Sequence, residues 1–228
     1  MKIKIVVLKI ASRCNLNCSY CYMYNLGDKT YKNQPKVMSN KTIEETYLRI
    51  IEHCEEHDIK DFGIILHGGE PLLAGQKYIE DFITTGRNLA KGKVRFHFGL
   101  QTNGILINED IVNSLEKHNV NIGISLDGKK EINDQHRVYH NGKGSYDDVI
   151  KGLKILLNNH HYKNYSGLLA VMNINSDPIE TYEHIIELKL NGGDFLFPYG
   201  TYDNPPTGKD RYIENTTYAD WLIKIFDV

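Results

Sequence analysis

The chain has 228 residues, 41% of them hydrophobic and 25% charged, with a net charge of −2. That composition belongs to a globular chain with one sizeable core and argues against bulk binding to nucleic acid or an anionic membrane. The longest apolar runs, "IVVL" and "FGIIL", are too short to cross a bilayer, and the N-terminal "MKIKIVVLKIASRC" has neither the h-region nor the cleavage site of a signal peptide.

In chain order, residues 3–10 read as a first strand and 41–56 as a helix with Ser39 as its expected N-cap. A second strand at 62–67, a helix at 76–90 and a third strand at 94–101 follow. Then come a helix at 109–118 behind Asn108, a strand at 121–126, and a helix at 146–158 behind Ser145. A strand at 167–172, a helix at 179–190 behind Asp177, and a last strand at 194–197 complete the series. Pro178 falls where a first helical residue tolerates proline. Strands alternating with helices predict an α/β fold, a parallel sheet of six strands curled into a partial barrel. An irregular loop over 199–211 and an amphipathic segment over 217–228 close the chain, the latter without a helix-stop signal. The expected division is a core over 1–200 and a C-terminal loop and helix over 201–228 that begins a longer natural chain.

In parallel α/β sheets, active-site groups gather at the carboxyl ends of strands. Here "SRCNLNCSYCYMYN" follows strand one, "HGGEP" strand two, "QTNG" ends strand three and "SLDG" strand four. The first of these holds three of the chain's four cysteines, Cys14, Cys18 and Cys21. Disulfides at such close spacing would be strained. A thiol cluster of this kind holds metal or does chemistry. A C-x3-C-x2-C loop can wrap a cubane iron–sulfur cluster and leave one iron open. A structural zinc site is the alternative, but it wants a fourth ligand. The remaining thiol, Cys54, lies on the helix predicted over 41–56 and reads as a small buried hydrophobe. The histidines are scattered; His53, His57, His160 and His161 fall on predicted helices or their ends.

C-x3-C-x2-C followed by an aromatic, Tyr22, resembles the signature of radical S-adenosylmethionine enzymes, and "HGGEP", "LQTNG", "SLDG" and His136–Arg137 follow in that family's order. The resemblance implies a partial (β/α)6 TIM-like barrel with a [4Fe-4S] cluster on Cys14, Cys18 and Cys21. It also implies S-adenosyl-L-methionine at the open iron, and a 5′-deoxyadenosyl radical that takes hydrogen from a substrate. Gly68 and Gly69 would let the backbone approach a ligand, Glu70 would accept from the methionine ammonium, and Pro71 would fix the turn. Gln101, Thr102 and Asn103 would face the cofactor cavity, and Asn103 also suits an Asn–Gly turn. Ser125 and Asp127, two apart, share a side of a strand. The resemblance places Ser125 on the cofactor, with Asp127 there or capping a turn. It sets Arg137 on the cofactor carboxylate and Leu196 against adenine.

Several stretches, "LHGGEPLL" and "DFLFPYGTYDNPP" among them, are similar to the peptide-modifying branch with a SPASM-type extension, which includes sulfatase maturases and cyclophane-forming peptide maturases. That likeness implies an oxidoreductase that modifies a ribosomal peptide or a protein. It further implies an electron donor such as flavodoxin or ferredoxin, and a cytoplasmic, anaerobic setting without membrane or nucleic acid. The cysteines of such an extension are absent from this sequence. The other expectation is therefore a truncated paralogue, impaired in catalysis, that binds cofactor or peptide.

Overall fold

A computed structural model describes residues 1–159, 165–190, 192–209 and 215–228. His160, His161 and the end of the loop predicted over 199–211 lie outside the described residues. The strands are β1 (Ile5–Ala11), β2 (Asp61–Gly68), β3 (Arg95–Thr102), β4 (Val120–Ser125), β5 (Tyr165–Val171) and β6 (Gly193–Leu196). They form one six-stranded sheet in sequential order, and every pairing is parallel. This is the predicted architecture, an open α/β sheet of the partial TIM-barrel kind.

Period-two alternation explains the layering. Phe62, Ile64 and Leu66 of β2, Phe96, Phe98 and Leu100 of β3, and Val120, Ile122 and Ile124 of β4 point one way and are buried. Over them pack the apolar stripes of α1 (Asn40–Glu56), α2 (Gln76–Ala90), α3 (Glu109–Lys117) and α5 (Tyr146–Asn158). Tyr47 of α1 is fully buried against the ring of Phe82, and its hydroxyl donates to the Phe82 carbonyl at 3.1 Å. Cys54 is 1% exposed in the same core.

The opposite face of the sheet carries glycines where a barrel interior would carry bulk. A Cβ at Gly63 would meet the Ile5 side chain at 2.9 Å, and one at Gly99 would meet Ile65 at 2.7 Å. A Cβ at Gly123 would collide with the Gln101 amide. On this face Ile5, Ile65 and Gln101 thus each lie across a neighbour's missing side chain.

Three caps form as expected: Ser39 accepts from Thr42 N, Asn108 from Ile111 N and Asp177 from Glu180 N. Ser145 does not cap. Its hydroxyl donates to the Arg137 carbonyl at 2.6 Å, and Asp134 accepts the Tyr146 N–H at the start of α5 instead. Asp134 belongs to α4 (Lys130–His136), a helix of seven residues that periodicity does not predict. Its one buried residue is polar: Asn133, which donates to Asp134 Oδ1 at 2.9 Å. Near the C-terminus α7 (Thr217–Phe226) lies beside α6 (Pro178–Glu187), and its Tyr218 and Trp221 form a second, smaller core with Met172.

Candidate functional site

The loops after β1 to β4 meet at one rim, around a cavity of about 320 Å³. Its wall includes Cys14, Cys18 and Cys21 together with Tyr22, Gly68, Gly69, Glu70, Gln101, Asn103, Ser125, Arg137 and Leu196. The residues that the sequence assigns to cluster and cofactor therefore converge, all but Pro71 and Asp127. A larger groove of about 580 Å³ lies between α3 and α5, but its lining of Asn, Lys, Asp, Glu and Ile side chains includes neither cysteine nor histidine.

The cysteine loop is held from below. Arg13 donates to the carbonyls of Ser12, Tyr31, Lys32 and Gln34 and so ties the long connection to the end of β1. Leu16 is 2% exposed and anchors the loop in the interior. The backbone of Asn17 donates to Val138 O at 2.7 Å and that of Ser19 to His136 O at 3.0 Å. The thiols thus rest on the α4–α5 connection. Burial pushes the Cys14 thiol up to about 12 and also raises Cys18. A bound cation is what would convert such thiols to ligating thiolates.

The two glycines of "HGGEP" line the cavity and also have a packing reason. A Cβ at Gly68 would collide with the Ala11 carbonyl, and one at Gly69 with the Arg13 carbonyl and the Tyr24 hydroxyl. They allow β2's end to press on β1's exit. Gly69 N donates to Ala11 O at 2.9 Å and Glu70 N to Arg13 O at 2.8 Å.

Glu70 is 1% exposed, and its carboxylate already has three donors within the chain. Oε1 accepts from Leu72 N and from the Thr102 hydroxyl, and Oε2 accepts from Asn103 N. Its first task is to lock the second loop to the third. Asn103 makes the predicted Asn turn, with Oδ1 accepting from Ile105 N. Its Nδ2 donates to Asn15 Oδ1 at 2.8 Å and lies 3.9 Å from Cys14 Sγ. Gln101 Nε2 donates to the Ser125 hydroxyl at 2.8 Å, so these two act as a pair. Leu196 ends β6 at the lip and is 39% exposed.

Pro71 and Asp127 stand off the wall. Pro71 is buried as the first residue of a short 3-10 turn. Asp127 shares Ser125's side in the sequence reading, but β4 ends at Ser125 and the chain turns. Asp127 accepts from the Tyr20 hydroxyl through one oxygen and from Val171 N through the other. The same Tyr20 hydroxyl accepts from Arg137 Nη1 at 3.0 Å. This buried Asp127–Tyr20–Arg137 chain joins β4, β5 and the cysteine loop. Tyr20 is a functional position that the motif alone does not single out. The aromatic lip of Phe197 and Tyr199, with Tyr199 stacked at 5.5 Å on Tyr22, is another.

Among the described residues three buried side-chain polar atoms lack a partner: Tyr24 Oη, Arg137 Nε and Asn215 Oδ1. The first two are donors, and both residues line this cavity. Such orphans are rare in native interiors and call for an acceptor from outside the chain. Among the described residues no three His, Cys, Asp or Glu side chains stand together so as to hold a single metal ion. Three thiols around a cavity with two unpaired donors suit a larger, acceptor-rich group such as an iron–sulfur cluster with an anionic ligand.

Comparison with known proteins agrees. The family model described as the Radical SAM superfamily matches residues 8–188. The cysteine-type anaerobic sulfatase-maturating enzyme of Clostridium novyi (strain NT) is 30% identical over 99% of this chain and 59% of its own length. The serine-type enzyme of Klebsiella aerogenes is 30% identical over 74% of this chain and 40% of its own. The solved structure of native anSMEcpe with bound AdoMet and Cp18Cys peptide superposes with a TM-score of 0.81 at 22% identity, over 99% of this chain and 59% of that one. The chain thus spans less than two thirds of the length of these relatives. No helix among the described residues is long and apolar enough to cross a membrane.

Proposed function

Because this chain belongs to the radical SAM superfamily, we propose that Cys14, Cys18 and Cys21 hold a [4Fe-4S] cluster and that the protein modifies a residue of a peptide or protein. A [4Fe-4S] cluster and S-adenosylmethionine are the cofactors of that superfamily. The chemistry they supply is reductive cleavage of the sulfonium to a 5′-deoxyadenosyl radical and hydrogen abstraction from the substrate. The observation that carries the reading is the pair of orphaned donors, Tyr24 Oη and Arg137 Nε, on residues that line the cavity where the three thiols meet.

The chain's own residues have distinct tasks. Arg137 keeps a permanent charge at the wall and offers Nε to the cofactor carboxylate. Gln101 and Ser125 hold each other and present their remaining donor and lone pairs to the ribose or carboxylate region. Glu70, fixed by Thr102 and Asn103, sets the backbone of the glycine segment and keeps spare lone pairs for the methionine ammonium. Tyr22 and Leu196 are apolar walls for the adenine, and they exclude water. Asp127 and Pro71 act at one remove, by positioning Tyr20 with Arg137 and the turn after Gly69. The sulfatase-maturating relatives favour a protein or peptide substrate, and the reductive cleavage calls for an electron donor such as flavodoxin or ferredoxin.

The test is anaerobic reconstitution followed by reductant and S-adenosylmethionine. Four irons per chain and 5′-deoxyadenosine are expected. Both should be lost in Cys18→Ala and kept in Cys54→Ala. Zinc without sulfide would sink the proposal. A cluster without 5′-deoxyadenosine would point to a cofactor- or peptide-binding role.

A further inference from the structure

We propose that the Tyr24 hydroxyl is a hydrogen-bond donor to the iron–sulfur cluster and so tunes how readily the cluster takes an electron. This rests on the cluster reading above.

The hydroxyl is buried and unpartnered. A phenol is protonated at neutral pH and can donate. Tyr24 is thus a donor in search of an acceptor. Tyr24 lines the same cavity as Cys14, Cys18 and Cys21. The carbonyl nearby, Arg13 O, accepts from Glu70 N at 2.8 Å and makes no hydrogen bond with this hydroxyl.

Its position is not an accident of a loose side chain. The ring stands edge-on to Tyr31 at 4.6 Å, and the backbone N–H bonds to Cys21 O at 3.2 Å. The hydroxyl fills the space that a Cβ on residue 69 would take. Gly69 is therefore small partly to admit this hydroxyl.

The surroundings of Cys14 point the same way. Leu16 N lies 3.4 Å and Asn103 Nδ2 3.9 Å from its sulfur, both as donors. Donors to cluster sulfurs stabilise the added electron and raise the reduction potential. An unpaired buried donor costs the apo chain stability, and the cluster's sulfurs offset that cost.

The test compares Tyr24→Phe with the parent chain, which keeps the ring and removes the oxygen. Both are reconstituted anaerobically without S-adenosylmethionine, and iron and sulfide are counted. Failure of the parent to bind four irons would refute the cluster reading itself. With four irons in both, the ratio of reduced to oxidised cluster at a fixed solution potential should fall several-fold in Tyr24→Phe, read by electron paramagnetic resonance. The apo variant should melt no lower than the apo parent. An unchanged ratio would overturn the inference, whether or not affinity for S-adenosylmethionine changed. So would a lower apo melting temperature, because the hydroxyl would then be bonding within the chain.

Discussion

Glu70 Oε2 accepts the backbone N–H of Asn103 at 2.8 Å, across 33 positions of sequence. The bond clamps the loop after β2 to the loop after β3. Burial pulls the carboxyl upward, and the donors, Asn103 N first, oppose it. The cysteine loop leans on the same clamp, because Glu70 N donates to Arg13 O.

Glu70→Gln keeps the shape and converts one acceptor into a donor. A buried N–H then lacks its acceptor or faces another donor. The apo chain should lose about 1–3 kcal/mol, seen as a lower urea midpoint with an unchanged slope. Parental stability would show that the clamp carries no weight.

Gly69→Ala drives a methyl into the Arg13 carbonyl and the Tyr24 hydroxyl. Backbone is the obstacle, so relief requires moving the cysteine loop. Overpacking of this kind costs about 1–3 kcal/mol, and iron uptake on reconstitution should drop with it. A variant that binds iron like the parent would contradict the packing.

Burial holds the His67 imidazole below its ordinary value of 6.5. In the window beneath 6.5 the unfolded chain therefore binds more protons than the folded one. Stability contributed by the neutral ring is present above that window and is lost as the pH falls through it. His118 and His184 are lowered too and add slopes of the same sign. Apo His67→Gln should lose less stability than the parent between pH 7 and roughly pH 5. Parallel curves in urea titrations at a series of pH values would contradict the burial.

The single tryptophan, Trp221, reports on α7. It is 5% exposed, donates to Ser176 O at 3.1 Å and sits in the smaller core. In urea its fluorescence should change before far-UV circular dichroism collapses, since small clusters open at lower cost than the main core. Superimposable transitions would mean that α7 unfolds with the sheet.

The strands are readable because one face of each is consistently buried, as the alternation of Phe62, Ile64 and Leu66 shows. The cysteines are readable because their spacing is itself the chemistry. Asn133 shows what stays hidden: α4 is held by polar bonds, which leave no apolar period in the sequence. Ser145 has an N-cap's identity, but the Arg137 carbonyl competes for its hydroxyl. Gly68 and Gly69 are legible as glycines, while their packing reason lies in Ala11 and Arg13, fifty and more residues earlier. Tyr20 and Arg13 act through partners that only folding assembles, and each is locally an ordinary residue.

The glycines at 63, 99 and 123 separate two duties. The helix-covered side of the sheet answers for folding, and on the other side the glycines give their space to Ile5, Ile65 and Gln101. Exchanges at Tyr22, Leu196 or Tyr199 fall outside the main core of buried residues. The lip can therefore change while the scaffold beneath keeps its stability, so that what the cavity mouth admits and what the sheet needs in order to fold are set by different residues.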